Sequence, residues 1–157
     1  MNEKENSAED PILQWVTYKL AEEVYGINVM QVQEVLRLTE ITPVPGAPSY
    51  VLGIINLRGN VVTVIDSRIR FGLPVREATE ESRIIITEVG GHVIGMLVDS
   101  VAEVVYLHQS DIDTAPNVSD DSSRFIQGVC NRDDYLLILV DVNKLLSQEE
   151  ISDISGF

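Results

Sequence analysis

What this chain has little of narrows its function before any motif is found. It carries one cysteine, Cys130, so no disulfide forms within it, and a reducing compartment is expected. Cys130 lies in an apolar run, where a free thiol behaves as a small buried hydrophobe. The two histidines, His92 and His108, have no second His or Cys at ligand spacing, which argues against a His/Cys metal site. Positive charge is scarce, with 11 Lys and Arg against 25 Asp and Glu and a net charge of −14. Binding DNA or RNA relies on basic groups that displace counterions, so no nucleic-acid partner is expected. An anionic membrane surface is disfavoured for the same reason. No apolar run approaches the roughly 20 residues of a membrane helix. The opening MNEKENSAEDP is polar and acidic, unlike a secretory leader. Together these features predict a cytoplasmic protein without direct membrane insertion.

Motifs of catalysis are also missing. There is no P-loop, no G-x-G-x-x-G and no G-x-S-x-G; Gly90-Gly91 has neither the spacing nor the strand-to-helix context. Asp66, Asp99 and Asp141 each end an apolar strand, and paired carboxylates facing one cleft do acid/base chemistry. The alternative is helix capping, in which Asp accepts backbone N–H bonds at a strand-to-helix boundary. Capping is favoured, because Asp66 and Asp141 turn out to be equivalent positions of a repeat. No catalytic residue, metal or cofactor is expected.

What the chain does have is a second copy of itself. Residues 14–38 align with 83–107 without a gap, with Val24/Val93, Gly26/Gly95, Val29/Val98, Val32/Val101, Glu34/Glu103, Val35/Val104 and Leu38/Leu107 identical. Residues 53–69 then align with 128–144, matching Gly53/Gly128, Asn56/Asn131 and Asp66/Asp141. A repeat of this length is one structural unit used twice, and two similar units leave a seam where a partner can bind.

Each copy reads as short strands. Residues 12–20 and 24–27 form a first hairpin, and 83–89 and 92–98 a second, turning at Gly90-Gly91. Val29, Val32, Val35 and Val98, Val101, Val104 are spaced by three, which suits a helical turn or a twisted strand. Thr42-Pro43-Val44-Pro45-Gly46-Ala47-Pro48 is a rigid loop barred from a central strand. Strands at 52–57 and 61–65 flank a turn at Arg58-Gly59-Asn60; strands at 126–131 and 135–140 repeat the pattern. Residues 1–11 are predicted to be a disordered acidic tail and 108–124 an exposed loop. Ser147-Gln148-Glu149-Glu150 fits a capping box opening a short C-terminal helix within 148–157. The expected fold is all-β with short helices: two five-stranded β-barrel subdomains of SH3-like or OB-like type, related by duplication and sharing a hydrophobic core. The repeats span about 12–70 and 82–146, within one domain over 12–147.

Two side chains stand out. Arg58 is at the tip of an apolar hairpin, where a solvated charge is the ordinary reading. Against that, Glu34 and Glu103 recur inside the Val-rich segment, where a carboxylate facing the seam can pair with a cation and fix orientation.

The runs Tyr25-Gly26-Ile27, Val32-Gln33-Glu34-Val35, Pro43-Val44-Pro45, Gly53-Ile54-Ile55-Asn56-Leu57-Arg58-Gly59 and Val64-Ile65-Asp66 together resemble the CheW family. Gly95, Leu97-Val98-Asp99, Val101–Val104 and Leu136–Asp141 extend the likeness over about 12–147. The resemblance implies a non-enzymatic adaptor of bacterial chemotaxis with two partners: the hairpin tip of a methyl-accepting chemoreceptor and the regulatory domain of a CheA-type histidine kinase. It implies strands exchanged between barrels. It implies a receptor groove between them, at Val32, Glu34, Val35, Gly53, Arg58, Gly95, Val101 and Val104. It further implies a protein that is monomeric alone, forms rings with the kinase and associates with receptor arrays at the inner membrane. The loop matching 111–118 meets the kinase in relatives through a basic and an aromatic residue; here Asp113 and Val118 stand there. Thr63 replaces a common Pro, and Ser67 a common Leu. With the chain ending at Phe157, a stand-alone adaptor rather than a fusion is expected. A CheW-like adaptor of another pathway (surface motility or second-messenger control) is the alternative, with an OB-type oligonucleotide binder behind it.

Overall fold

A computed structural model describes residues 10–114 and 124–154. Residues 1–9 of the expected tail and most of loop 108–124, Val118 included, lie outside the described residues. The first repeat supplies strands β1 (Ile12–Leu20), β2 (Glu23–Asn28), β3 (Val32–Arg37), β4 (Val51–Leu57) and β5 (Asn60–Asp66), then helix α1 (Ser67–Arg70). The second supplies β6 (Arg83–Val89), β7 (His92–Val98), β8 (Ser100–His108), β9 (Asp113–Thr114), β10 (Ile126–Asn131) and β11 (Leu136–Val140). Helix α2 (Gln148–Ile154) follows.

The strands form two sheets. One runs β8-β1-β2-β11-β10-β9 and the other β3-β6-β7-β5-β4. Under the repeat, β3 corresponds to β8, β6 to β1, β7 to β2, β5 to β11 and β4 to β10, so the two orders are the same. Each sheet takes its first hairpin from the other repeat: β1–β2 sits among second-repeat strands, and β6–β7 among first-repeat strands. The pseudo-symmetry extends to register. Val32 faces Thr87 as Val101 faces Tyr18, and Val35 faces Ile85 as Val104 faces Val16. Thr63 faces Ile94 in one parallel pair as Ile138 faces Tyr25 in the other.

Two outcomes differ from the sequence reading. The sheets have six and five strands, and neither closes into a barrel through hydrogen bonds. In the five-stranded sheet the chain leaves β3 and returns to β4 only as a bridge between Thr42 and Ile54. Pro43 has no N–H to extend that bridge. The repeat-equivalent segment of the other sheet, Asp113–Thr114, has no proline at the matching place and pairs with Val129 and Gly128 as the sixth strand. Closure is thus made by chain connection rather than by a ladder. The second difference concerns the valines spaced by three. Val29–Gln31 is a single 3-10 turn, while Val32–Arg37 and Ser100–His108 are strands. Each strand carries a β-bulge, between Val32 and Glu34 in β3 and opposite Val16/Tyr18 in β8. One extra residue in a strand turns a period of two into a step of three.

Central strands are buried on both faces, which is why they read as near-continuous aliphatic runs. One face of each sheet closes its own small core: Trp15, Val105, Leu107, Cys130, Leu137 and Leu139 in one, Ile55, Val62, Val64, Ile84 and Ile86 in the other. The opposite faces meet in a shared core that includes Tyr18, Ile27, Ile65, Ile85, Met96 and Val140. Burying each such side chain contributes about 1.5–3 kcal/mol relative to leaving it in water. The expected shared core is therefore present, and exchange of hairpins makes each sheet depend on both repeats.

Candidate functional site

The predicted site residues fall on the edges of the two sheets and on one hairpin tip. β3 is an edge strand of one sheet and β8 of the other. The bulge in β3 places Val32 and Val35 opposite Thr87 and Ile85, on the face that packs toward the shared core. Glu34 and Leu36 lie opposite Ile86 and Ile84, on the other face. In β8, Val101 and Val104 lie opposite Tyr18 and Val16 in the same arrangement. Val32 and Val101 both pack against the shared core. Val35 and Val104, one step further out, keep 40% and 42% of their surface exposed. Each edge strand thus carries one valine that anchors it and one that faces water.

Arg58 is at the tip of the β4–β5 hairpin, a two-residue turn closed by the pair Leu57 and Asn60. Both turn residues have positive φ, 51° at Arg58 and 87° at Gly59, as a type I′ turn requires. The Gly59 N–H donates to Asn56 Oδ1 at 2.8 Å. Arg58 forms a two-pronged ion pair with Glu34, Nη2 to Oε2 and Nη1 to Oε1 at 3.3 Å. The Arg58 hydrogen bond holds the Glu34 carboxyl below its ordinary range. This exposed pair brings the β4–β5 hairpin tip beside β3. The matched Glu103 has no such partner among the described residues, since Asp133 occupies the place equivalent to Arg58.

Gly53 and Gly95 are buried and serve the fold's own close contacts. A Cβ on Gly53 would stand 2.2 Å from the Thr42 carbonyl oxygen, so the bridge to Thr42 needs glycine there. Gly128 has the same relation to the Asp113 carbonyl, at 2.8 Å. A Cβ on Gly95 would meet Ile84 Cγ2 at 2.8 Å inside the small core. Asp113 lies in the two-residue β9, exposed. Sequence reading missed Tyr106, 63% exposed on β8 two residues beyond Val104. The alternation of Val104 and Tyr106 with buried Val105 and Leu107 carried that signal, but only once the segment is known to be a strand.

The three aspartates have structural partners. Asp66 accepts from the N–H groups of Arg68 and Ile69, at 2.9 and 3.5 Å, and caps α1; Asp141 accepts from Asn143 N–H at 3.0 Å. Burial pushes Asp66 above its ordinary value, against the pull of those N–H bonds. Asp99 takes both the Nε and Nη2 of Arg68, at 2.8 and 2.6 Å, and the Ala21 N–H at 2.8 Å. Burial alone would raise Asp99; the bonds from Arg68 and Ala21 outweigh it and hold the carboxyl low. Among the described residues no cluster of His, Cys, Asp and Glu is placed to hold a metal ion. No helix among them is long and apolar enough to cross a membrane.

The duplicated β units present solvent-facing edge valines beside an ion-paired hairpin tip, a surface suited to binding another protein. A family model for the CheW-like domain matches residues 14–150. Similar proteins include the chemotaxis protein CheW of Treponema pallidum, 35% identical over 94% of this chain and 89% of its own length. The CheW of Bacillus subtilis is 39% identical over 80% of this chain and 81% of its own. The crystal structure of the scaffolding protein TtCheW from Thermoanaerobacter tengcongensis superposes with a TM-score of 0.82 at 36% identity, covering 89% of this chain and 96% of that one. The chain belongs to the CheW family: it is a non-enzymatic chemotaxis adaptor that couples receptors to the kinase.

Proposed function

We propose that the two edge strands and the hairpin tip are the receptor face of this adaptor. Val32, Val35, Val101 and Val104 supply its apolar part, and the Glu34–Arg58 pair supplies a charged rim. Gly53 and Gly95 hold the backbone beneath it. The occupant is the tip of a chemoreceptor's helical hairpin, since an amphipathic helix end buries an apolar stripe and finds charge at its margin. The observation that carries this reading is the duplicated exposure: Val35 and Val104, repeat-equivalent and on different sheets, are both about two-fifths open to water. The regulatory domain of a CheA-type kinase meets the loop to which Asp113 and Val118 belong in sequence, and alternation of the two proteins closes into rings. The adaptor is monomeric by itself and works in the cytoplasm, at receptor arrays on the inner membrane. It acts by position, so that a shift in the receptor changes the coupling free energy to the kinase.

A direct test is capture of a receptor signalling-tip fragment and, separately, of a kinase regulatory domain. Arg58→Glu is expected to lose receptor capture and keep kinase capture with unchanged circular dichroism. Full receptor capture by that variant contradicts the assignment.

A further inference from the structure

A depression lies at the C-terminal end of β3, beyond Val35 and lined by residues outside the receptor assignment. It measures about 790 Å³ and is lined by Arg37, Leu38, Ala78, Thr79, Glu80 and Arg83. Arg37 and Arg83 are direct cross-strand partners in the β3–β6 ladder. Like charges directly opposite each other destabilise a sheet, so the cross-strand juxtaposition of the two arginines does not itself support the ladder. The repeat provides an internal control. The equivalent partners in the other sheet are Tyr106 and Gln14, in the same register and without charge. A duplicated ladder that works with Tyr and Gln does not require two arginines.

Among the described residues neither arginine is in an ion pair; the arginines that are paired are Arg58, Arg68, Arg70 and Arg124. Arg83 donates Nη1 to the backbone carbonyls of Glu80 and Ser82, at 2.9 and 2.8 Å. Those bonds fix the guanidinium and leave its Nε and Nη2 available. Glu80 lines the same depression, but its carboxylate pairs with neither arginine. Leu38, 41% exposed, adds an aliphatic wall. In a chain of net charge −14, one guanidinium held by backbone carbonyls and one exposed guanidinium thus share a notch beside an apolar side chain.

We infer that the Arg37–Arg83 notch is a docking site for an acidic segment of a partner protein, whose carboxylates bridge the two guanidiniums while an adjoining aliphatic group rests on Leu38. Planar guanidiniums take carboxylates through paired N–H bonds, and a fixed one loses little freedom in doing so. The inference does not rest on the receptor assignment, since it uses different residues.

The test is a titration of the isotopically labelled full chain with a short oligoglutamate peptide at physiological ionic strength, followed by NMR. A parallel titration uses inorganic phosphate. Saturable shifts are expected at 37–38 and 78–83, with affinity falling about tenfold in Arg37→Gln and in Arg83→Gln. Arg37→Gln is also expected to melt no lower than the parent chain, because it removes a repulsion. Absence of saturable shifts, equal shifts in the variants, or phosphate binding at the notch without peptide binding overturns the inference. A lower melting point for Arg37→Gln overturns the claim that the pair is not structural.

Discussion

Arg58 is a long side chain held in a left-handed backbone conformation, which costs a non-glycine residue about 1–2 kcal/mol. The hairpin would turn as well with glycine there, as Gly90-Gly91 does with φ of 57° and 84°. Arg58→Gly is therefore expected to leave thermal stability equal or raised while weakening receptor capture; a loss of stability would show that the Glu34 pair holds the sheet edge together. Arg58→Glu and Glu34→Arg are each expected to weaken receptor coupling, and the exchanged double variant to recover part of it, read by receptor-dependent kinase control. Glycine has a different task at Gly53. A methyl group there would strike a backbone oxygen rather than a flexible side chain, so Gly53→Ala is expected to lower stability by more than about 2 kcal/mol, measured by urea unfolding.

At the scale of elements, the exchanged hairpins must be held in the other repeat's sheet. The Arg68–Asp99 pair does this at one end. Arg68 is in α1 of the first repeat, Asp99 links β7 to β8, and Asp99 also receives the Ala21 N–H from the β1–β2 turn. The side chains are 8% and 16% exposed, so removing one partner strands the other. Arg68→Ala is expected to cost about 3 kcal/mol. Asp99 has a folded pKa below its unfolded one, so its contribution is complete above the unfolded value and is lost as pH falls through the folded value. Asp99→Asn should therefore flatten the fall of stability in acid, seen by denaturation at a series of pH values; an unchanged acid limb would contradict this. At the other end, Ser147 and Glu150 make the capping box, at 2.8 and 3.1 Å. Glu150 also receives Arg70 of the first repeat, at 2.5 and 2.9 Å, and Arg124 at 3.1 Å. Helix α2 thereby clasps both repeats, with Ile151 and Ile154 buried in the shared core.

For the molecule as a whole, the repeat made most of the architecture legible. Identical spacing in two blocks implied two like sheets, and the equivalence of Asp66 with Asp141 implied caps, which both are. The missing sixth strand of the five-stranded sheet was not legible, because it depends on one absent N–H at Pro43 and not on hydrophobic period. The bulges were not legible either. An extra residue in a strand gives the same three-residue step as a helical turn, and only the partner strand shows which is present. The Glu34–Arg58 contact was foreshadowed by charge and position, but its geometry comes from a turn in which Arg58 takes a glycine-like conformation. The Arg37–Arg83 pair required the register of β3 against β6, which no local pattern contains.

The central claim is that one receptor surface draws on both repeats. Its most direct measurement is the footprint of a receptor signalling-tip fragment on the labelled chain, read by NMR line shifts at saturation. The account predicts perturbation of β3 and β8 together, at Val32, Val35, Val101 and Val104, with Arg58 at the margin. A footprint confined to one sheet, or centred on β9 and α2, would contradict it.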